Sequence, residues 1–272
     1  MLRRTRFALL LLCLLMGAIA PAARAAEQVD LLLVLAADVS RSVDAQKFKL
    51  QRDGYAAAIA NPRVLDAIRS GRNGKIAVAF VEWSGFGNQK LVIDWTAIDG
   101  TKAAQTFGDR MLESPRSFAD RTSISGGIDF SVAQFPRAPF AAERHTIDVS
   151  GDGTNNAGRD VAEARDEALA LGITINGLVI LSANPLPWNP EHTNPPGGLA
   201  NYYRNNVVGG PGAFVLEAKD FNSFGEAIIK KLVAEIADAA PLREVAHALP
   251  AMKGSQTPRT VGQGATGGIV RR

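Results

Sequence analysis

Asp38-Val39-Ser40-Arg41-Ser42 sets one carboxylate and two hydroxyls at alternate positions. In an extended segment, residues i, i+2 and i+4 point to one side, so these three side chains converge. Two more oxygen-bearing residues stand in comparable settings. Thr122 lies in Asp120-Arg121-Thr122-Ser123, just before an apolar segment, and Asp152 lies in Ser150-Gly151-Asp152-Gly153, just after one. All five are hard oxygen donors, with no sulfur and no imidazole among them. That chemistry suits Mg²⁺, Mn²⁺ or Ca²⁺ rather than zinc or copper. The same residues also have plain structural uses. Ser42 or Asp44 can cap a following helix, and Asp152-Gly153 can be a simple turn.

For the five to meet, three distant segments must reach one edge of the fold. Residues 29–37 (VDLLLVLAA) form a nearly continuous apolar run, the pattern of a strand buried on both faces of a parallel sheet, and it ends at Asp38. A helix is expected over 43–60, stopped by Asn61-Pro62. Strands are expected over 75–83 and 90–95, joined by a glycine-bearing turn, which gives a hairpin and one antiparallel edge. Helices over 97–112 and 124–134 follow, then a strand over 144–149 and a helix over 160–171. A buried strand over 173–181, a short helix over 199–207 and a short strand over 213–217 come next. The helix over 220–239 carries an apolar stripe of Phe221, Phe224, Ile228, Leu232 and Ile236, with Ser223 and Glu226 as a capping box. Strands thus alternate with helices. The expected fold is α/β and doubly wound, a mostly parallel sheet with one antiparallel edge strand and helices on both faces. Ligands of such sheets bind outside the carboxyl ends of the strands, where Asp38 and Asp152 fall.

The combination of Asp38-x-Ser40-x-Ser42, Thr122 in Arg-Thr-Ser-Ile-Ser-Gly-Gly-Ile, and Asp152-Gly153 resembles the metal-ion-dependent adhesion site (MIDAS) of von Willebrand factor A domains. The resemblance extends over 28–240. Phe80-Val81-Glu82-Trp83-Ser84 and Gly209-Gly210-Pro211-Gly212-Ala213-Phe214 are similar to segments of an uncharacterised family of exported bacterial proteins of this type, a domain of unknown function. The resemblance implies a Rossmann-like fold, with Ser40, Ser42 and Thr122 ligating a cation through their hydroxyls. It implies that Asp38 and Asp152 bind that cation directly or through water. Neutral hydroxyls leave a dication electrophilic, so a partner's Asp or Glu carboxylate is the natural sixth ligand.

Competing chemistry is weakly represented. Asp148-Val149-Ser150-Gly151-Asp152-Gly153 begins like an EF-hand loop, but its twelfth position is Arg159 where a bidentate Glu is needed. Asp148, inside an apolar strand, needs a partner that the sequence does not name. No G-x-S-x-G elbow, Walker loop or strand-following G-x-G-x-x-G occurs. His145, His192 and His247 are far apart and read as structural or solvated rather than catalytic. The expectation is a non-enzyme. The alternatives are a metal-dependent hydrolase acting at the same rim, with Glu82 the nearest candidate base, or a structural subunit with a vestigial site.

The ends and one loop complete the reading. Residues 1–26 look like a secretory leader: Arg3, Arg4 and Arg6 precede an apolar stretch over 7–19, and Ala23-Arg24-Ala25 supplies small residues for cleavage. Its removal takes four arginines and no acids, so 30 basic residues become 26 against 27 acidic ones. No basic surface for nucleic acid remains, and no transmembrane segment is expected in the mature chain. The single cysteine, Cys13, leaves with the leader, so neither disulfides nor thiolate zinc sites are expected. The implied location is periplasmic or secreted. Residues 241–272 read as a flexible tail. Residues 182–212 form a long loop with six prolines, and loops of that length are usually functional or disordered. It leaves the edge where the cation is expected. Trp188, Tyr202 and Tyr203 in it are expected either to meet a protein partner or to pack the loop down.

Overall fold

The structure, a computed structural model, describes residues 26–182 and 184–237. The expected tail, and the expected leader apart from Ala26, lie outside the described residues. The central sheet has six strands in the order β4-β3-β2-β6-β7-β8. These are β2 (Leu32–Asp38), β3 (Ile76–Trp83), β4 (Gln89–Ile98), β6 (His145–Gly151), β7 (Ile173–Ile180) and β8 (Val215–Ala218). Only β3 and β4 pair antiparallel, and every other neighbour pair is parallel. Two short strands, β1 (Glu27–Gln28) and β5 (Phe140–Ala141), pair apart from this sheet.

The period of two in β2 divides the interior. Leu33, Leu35 and Ala37 face one apolar cluster, while Leu32, Val34 and Ala36 face a second. The first cluster is covered by α1 (Ala45–Ile59), α2 (Pro62–Ser70), α3 (Thr101–Glu113) and α8 (Phe224–Ile236). The second is covered by α4 (Ile124–Val132), α5 (Val161–Ala170) and α7 (Leu199–Asn206). A strand buried on both sides cannot be polar at either parity, which explains the unbroken apolar run before Asp38. On the first face α1 approaches α8 closely: a Cβ at Gly54 would stand 2.5 Å from Cδ1 of Phe224.

One local expectation is extended and one is corrected. Asn61-Pro62 stops the first helix as expected, α1 ending at Ile59, and it also opens the next. The Asn61 side chain accepts from Arg63 N at 3.0 Å, and proline, which has no amide hydrogen to leave unpaired, opens α2. Ser223 makes no side-chain cap on α8. Its hydroxyl bonds Asp220, whose Oδ1 accepts the Ser223 amide at 2.8 Å, so an Asp-based turn replaces the capping box.

The partner of Asp148 is Lys231 on α8, with Nζ 2.8 Å from Oδ1 and both side chains fully buried. The same ammonium bonds Glu235, whose Oε1 also accepts from Asn176 Nδ2 at 2.8 Å. Burial pushes the Asp148 carboxyl up to about 7, against the pull of Lys231.

Candidate metal centre

Three segments converge where the strands end. β2 delivers Asp38 and the turn that follows it, the residues before α4 deliver Thr122, and β6 delivers Asp152. All five expected donors are buried. Ser40 Oγ lies 3.0 Å from Ser42 Oγ, and Ser42 Oγ donates to Asp152 Oδ1 at 2.5 Å across 110 residues of chain. Asp38 Oδ1 accepts the Ser40 amide at 2.6 Å. The competing use of Ser42 as a helix cap does not occur. Asp44 caps α1 instead, accepting from Lys47 N at 2.9 Å.

The backbone beneath these donors is tied on several sides. Arg116 donates to the carbonyls of Val39 and Ser40 at 2.6 and 2.9 Å, and Gln51 donates to that of Asp38 at 3.1 Å. Asn156 accepts the Thr122 amide through Oδ1 at 2.9 Å. The positions of the donors are therefore held by groups other than the donors themselves.

The electrostatics are unbalanced. Asp38 Oδ2 and Asp152 Oδ2 are buried and find no hydrogen-bond partner among the described residues. Burial, and then repulsion from Asp152, push the Asp38 carboxyl up to about 8. Lys47 Nζ stands 3.5 Å from Asp152 Oδ2 but remains partly exposed, so it offsets one charge only in part. Two buried carboxylates with orphaned oxygens beside three hydroxyls form a donor set suited to a hard or borderline dication.

The long loop closes over this rim and brings a residue that sequence reasoning missed. His192, in α6 (Pro190–Thr193), is buried, and its Nε2 lies 3.2 Å from Thr122 Oγ1. Burial holds its imidazole below the usual histidine range, with Asp152 acting the other way. Only the loop's departure from the carboxyl edge hinted at this, because a lone His in an aperiodic segment carries no spacing signal. Ser42, Thr122, His192 and the exposed Trp188 line a cleft of about 80 Å³.

The loop aromatics divide. Tyr203 is fully buried and its hydroxyl reaches the Gly153 carbonyl at 3.5 Å. It packs the loop onto the sheet and presents no face to a partner, contrary to the partner-binding expectation. Tyr202 is half-buried and accepts the Asn155 amide at 3.1 Å. Trp188 alone of the three is widely exposed. Glu82 also departs from its suggested part as a base. Arg52 donates to its Oε1 at 2.6 Å and the Ser117 amide to its Oε2 at 2.8 Å, which occupies both oxygens.

The family signature described as "Protein of unknown function (DUF1194)" matches residues 28–240. The chain belongs to the DUF1194 family. No curated protein matches this DUF1194 chain in sequence. Solved structures resemble it in fold. Proximal thread matrix protein 1 from the mussel byssus gives a TM-score of 0.56 at 12% identity, covering 77% of this chain and 49% of that one. Another structure of the same mussel protein is described as having a zinc occupied MIDAS motif (TM-score 0.53, 16% identity, 78% and 49% covered). The pilus adhesin SpaC from Lactobacillus rhamnosus GG gives 0.54 at 12% identity, covering 78% and 31%. A von Willebrand factor type A protein from Catenulispora acidiphila gives 0.51 at 14%, covering 76% and 43%. The DUF1194 chain spans about half the length of the mussel protein and less of the other two. Its fold is the Rossmann-like fold of von Willebrand factor A domains, as the resemblance implies, built on the doubly wound sheet that the strand–helix alternation predicts.

Proposed function

We propose that residues 28–240 form an exported module that binds a divalent cation through Asp38, Ser40, Ser42, Thr122 and Asp152 and uses it to hold a protein partner. The observation that carries this reading is the pair of buried carboxylate oxygens, Asp38 Oδ2 and Asp152 Oδ2, left without hydrogen bonds among the described residues beside the hydroxyls of Ser40 and Ser42, with Thr122 lining the same cleft as Ser42. A buried carboxylate with one oxygen left without a hydrogen bond is disfavoured, and two side by side, offset by only one partly exposed lysine, are more so. A bound dication supplies the missing positive charge and an electrophilic position open to an Asp or Glu of the partner. Mg²⁺ fits the oxygen donors, with Mn²⁺ or Ca²⁺ as alternatives. Asp38 and Asp152 carry the compensating charge, and the hydroxyls orient it without cancelling it. Two structural neighbours, a pilus adhesin and a mussel protein with a zinc-occupied MIDAS, agree with a cation-dependent binding part. Export rests on the leader expected over 1–26. Among the described residues no helix is long and apolar enough to cross a membrane.

Thermal unfolding of the protein in chelator and in millimolar Mg²⁺ or Mn²⁺ tests the cation. A cation at about 100 times its Kd adds about 2.7 kcal/mol. In a domain of this size that raises Tm by about 5–10 °C. Asp38→Ala and Thr122→Ala are expected to fold and to lose the shift. Wild-type protein that shows no shift with any of these cations overturns the reading. A pull-down from periplasmic extract with and without chelator then tests the partner, whose retention is expected to need the cation.

A further inference from the structure

We propose that His192 is an additional protein ligand of the cation, so that the rim is a mixed nitrogen–oxygen site favouring a borderline ion such as Zn²⁺ or Co²⁺ over Mg²⁺. This rests on the cation reading above and goes beyond its five oxygen donors. Four observations carry it. Two donors adjacent on one octahedral ion with bonds of about 2.1 Å stand about 3.0 Å apart. Thr122 Oγ1 and His192 Nε2 are 3.2 Å apart, much as Ser40 Oγ and Ser42 Oγ are at 3.0 Å. The imidazole is therefore spaced from Thr122 as a second donor to the same ion.

The ring is also held from behind. Thr154 Oγ1 lies 3.3 Å from Nδ1, while Asn156 Nδ2, a donor, lies 3.4 Å from it and can bond it only in the opposite tautomer. Metal-bound histidines are oriented through the ring nitrogen that does not bind. The Thr154 hydroxyl can accept from Nδ1–H, which leaves the Nε2 lone pair facing Thr122. The backbone clamps the same residue, since the Thr154 amide donates to the His192 carbonyl at 2.9 Å.

The approach is permitted by one missing side chain. A Cβ at Gly153 would stand 2.2 Å from His192 Nε2. Any other residue after Asp152 would push the imidazole off the rim. Finally, His192 is only 4% exposed although it belongs to a long, proline-rich surface loop. Its burial against Thr122 and Gly153 is what brings the loop onto the donor set. Imidazole is a ligand for zinc, copper, nickel and iron-type ions and a poor one for Mg²⁺, so it shifts the selectivity of an otherwise oxygen site.

Calorimetric titration of the full chain with Co²⁺, Zn²⁺ and Mg²⁺, comparing wild type with His192→Ala and His192→Gln, tests this. Far-UV circular dichroism checks that each variant is folded. His192→Ala is expected to lose Co²⁺ and Zn²⁺ affinity by at least about tenfold while Mg²⁺ affinity stays within about twofold. The visible absorption band of bound Co²⁺ is expected to move when the nitrogen is lost. Thr154→Ala, which removes only the support behind the ring, is expected to weaken Co²⁺ about tenfold. Equal losses for all three ions, or no loss for any, would make His192 a loop anchor and overturn this inference while leaving the cation reading intact. An absence of binding by every ion to the wild type overturns both.

Discussion

Asp38 is the residue on which the two demands of the rim collide. Its carboxylate is fully buried beside Asp152, and its value of about 8 stands far above the ordinary 3.8. The folded protein therefore keeps a proton that the unfolded chain has already released. Asp38's contribution to metal-free stability therefore falls as pH rises from about 4 to about 8. Asp38→Asn retains an oxygen for the Ser40 amide and deletes the charge. In chelator it is expected to be more stable than wild type by about 2 kcal/mol at pH 8, with the gain shrinking toward pH 4. Urea unfolding at several pH values measures this. A variant less stable than wild type at pH 8 would mean that the carboxylate is well accommodated without a cation. At this scale the convergence of Asp38, Ser40, Ser42, Thr122 and Asp152 was legible in the sequence. Alternation in Asp38-x-Ser40-x-Ser42 and placement at element ends are local signals. His192 was not legible, because its contact with Thr122 spans 70 residues and its loop has no period. Tyr203 was read only by type, and type does not distinguish an aromatic that packs inward from one that faces out.

Elements are held to one another by buried charge as well as by apolar contact. Arg52 on α1 and Glu82 on β3 form one such pair. On the other side of the same cluster, Lys231 and Glu235 of α8 meet Asp148 of β6. That second group has two carboxylates and one ammonium, and Glu235 Oε2 has no hydrogen bond among the described residues. One negative charge is thus in excess, which is why burial and Glu235 raise Asp148 against the pull of Lys231. A carboxyl raised to about 7 in the folded state destabilises the fold as pH climbs from about 4 through 7. Glu235→Gln keeps an oxygen for Lys231 and Asn176 and removes the excess charge. It is expected to flatten that decline and to gain about 1–2 kcal/mol at pH 8, with little change at pH 5. Denaturation midpoints across that range decide the matter, and a loss at pH 8 would show that Lys231 needs both charges. Alternation of strand and helix made the elements readable, yet Asp148 showed only that a partner was required. Its partner sits 83 residues away on a helix whose apolar stripe hid Lys231. Asn61-Pro62 was legible as the end of α1, but the Asn61 cap that opens α2 at Pro62 was not foreseen.

The whole molecule carries clefts at both ends of the strands, and the one over the rim donors is the smallest of them. One cleft of about 300 Å³ opens at the amino ends of β6 and β7, lined by His145, Thr146 and Thr174, and another of about 300 Å³ lies at the carboxyl ends of β7 and β8, lined by Lys47, Leu181 and Phe221. At the carboxyl ends the cleft over Ser42, Thr122 and His192 is about 80 Å³. Small-molecule sites run to several hundred Å³, so the rim fits the tip of a single partner side chain better than a substrate. Beyond that tip, a partner would meet Trp188, which is 71% exposed at the mouth of the cleft. Exposed tryptophans flanking a charged contact are common interface anchors. Trp188→Ala is expected to weaken the partner recovered by cation-dependent pull-down by about 10–30-fold, while cation affinity and Tm stay at wild-type values. Tyr203→Ala should behave in the opposite way. Removing a fully buried aromatic is expected to lower stability by about 3–5 kcal/mol, with binding lost only as the loop loosens. Measuring partner affinity and unfolding on both variants separates anchor from core. Unchanged partner affinity in a folded Trp188→Ala protein would move the contact surface away from this loop and leave the rim donors to carry recognition alone.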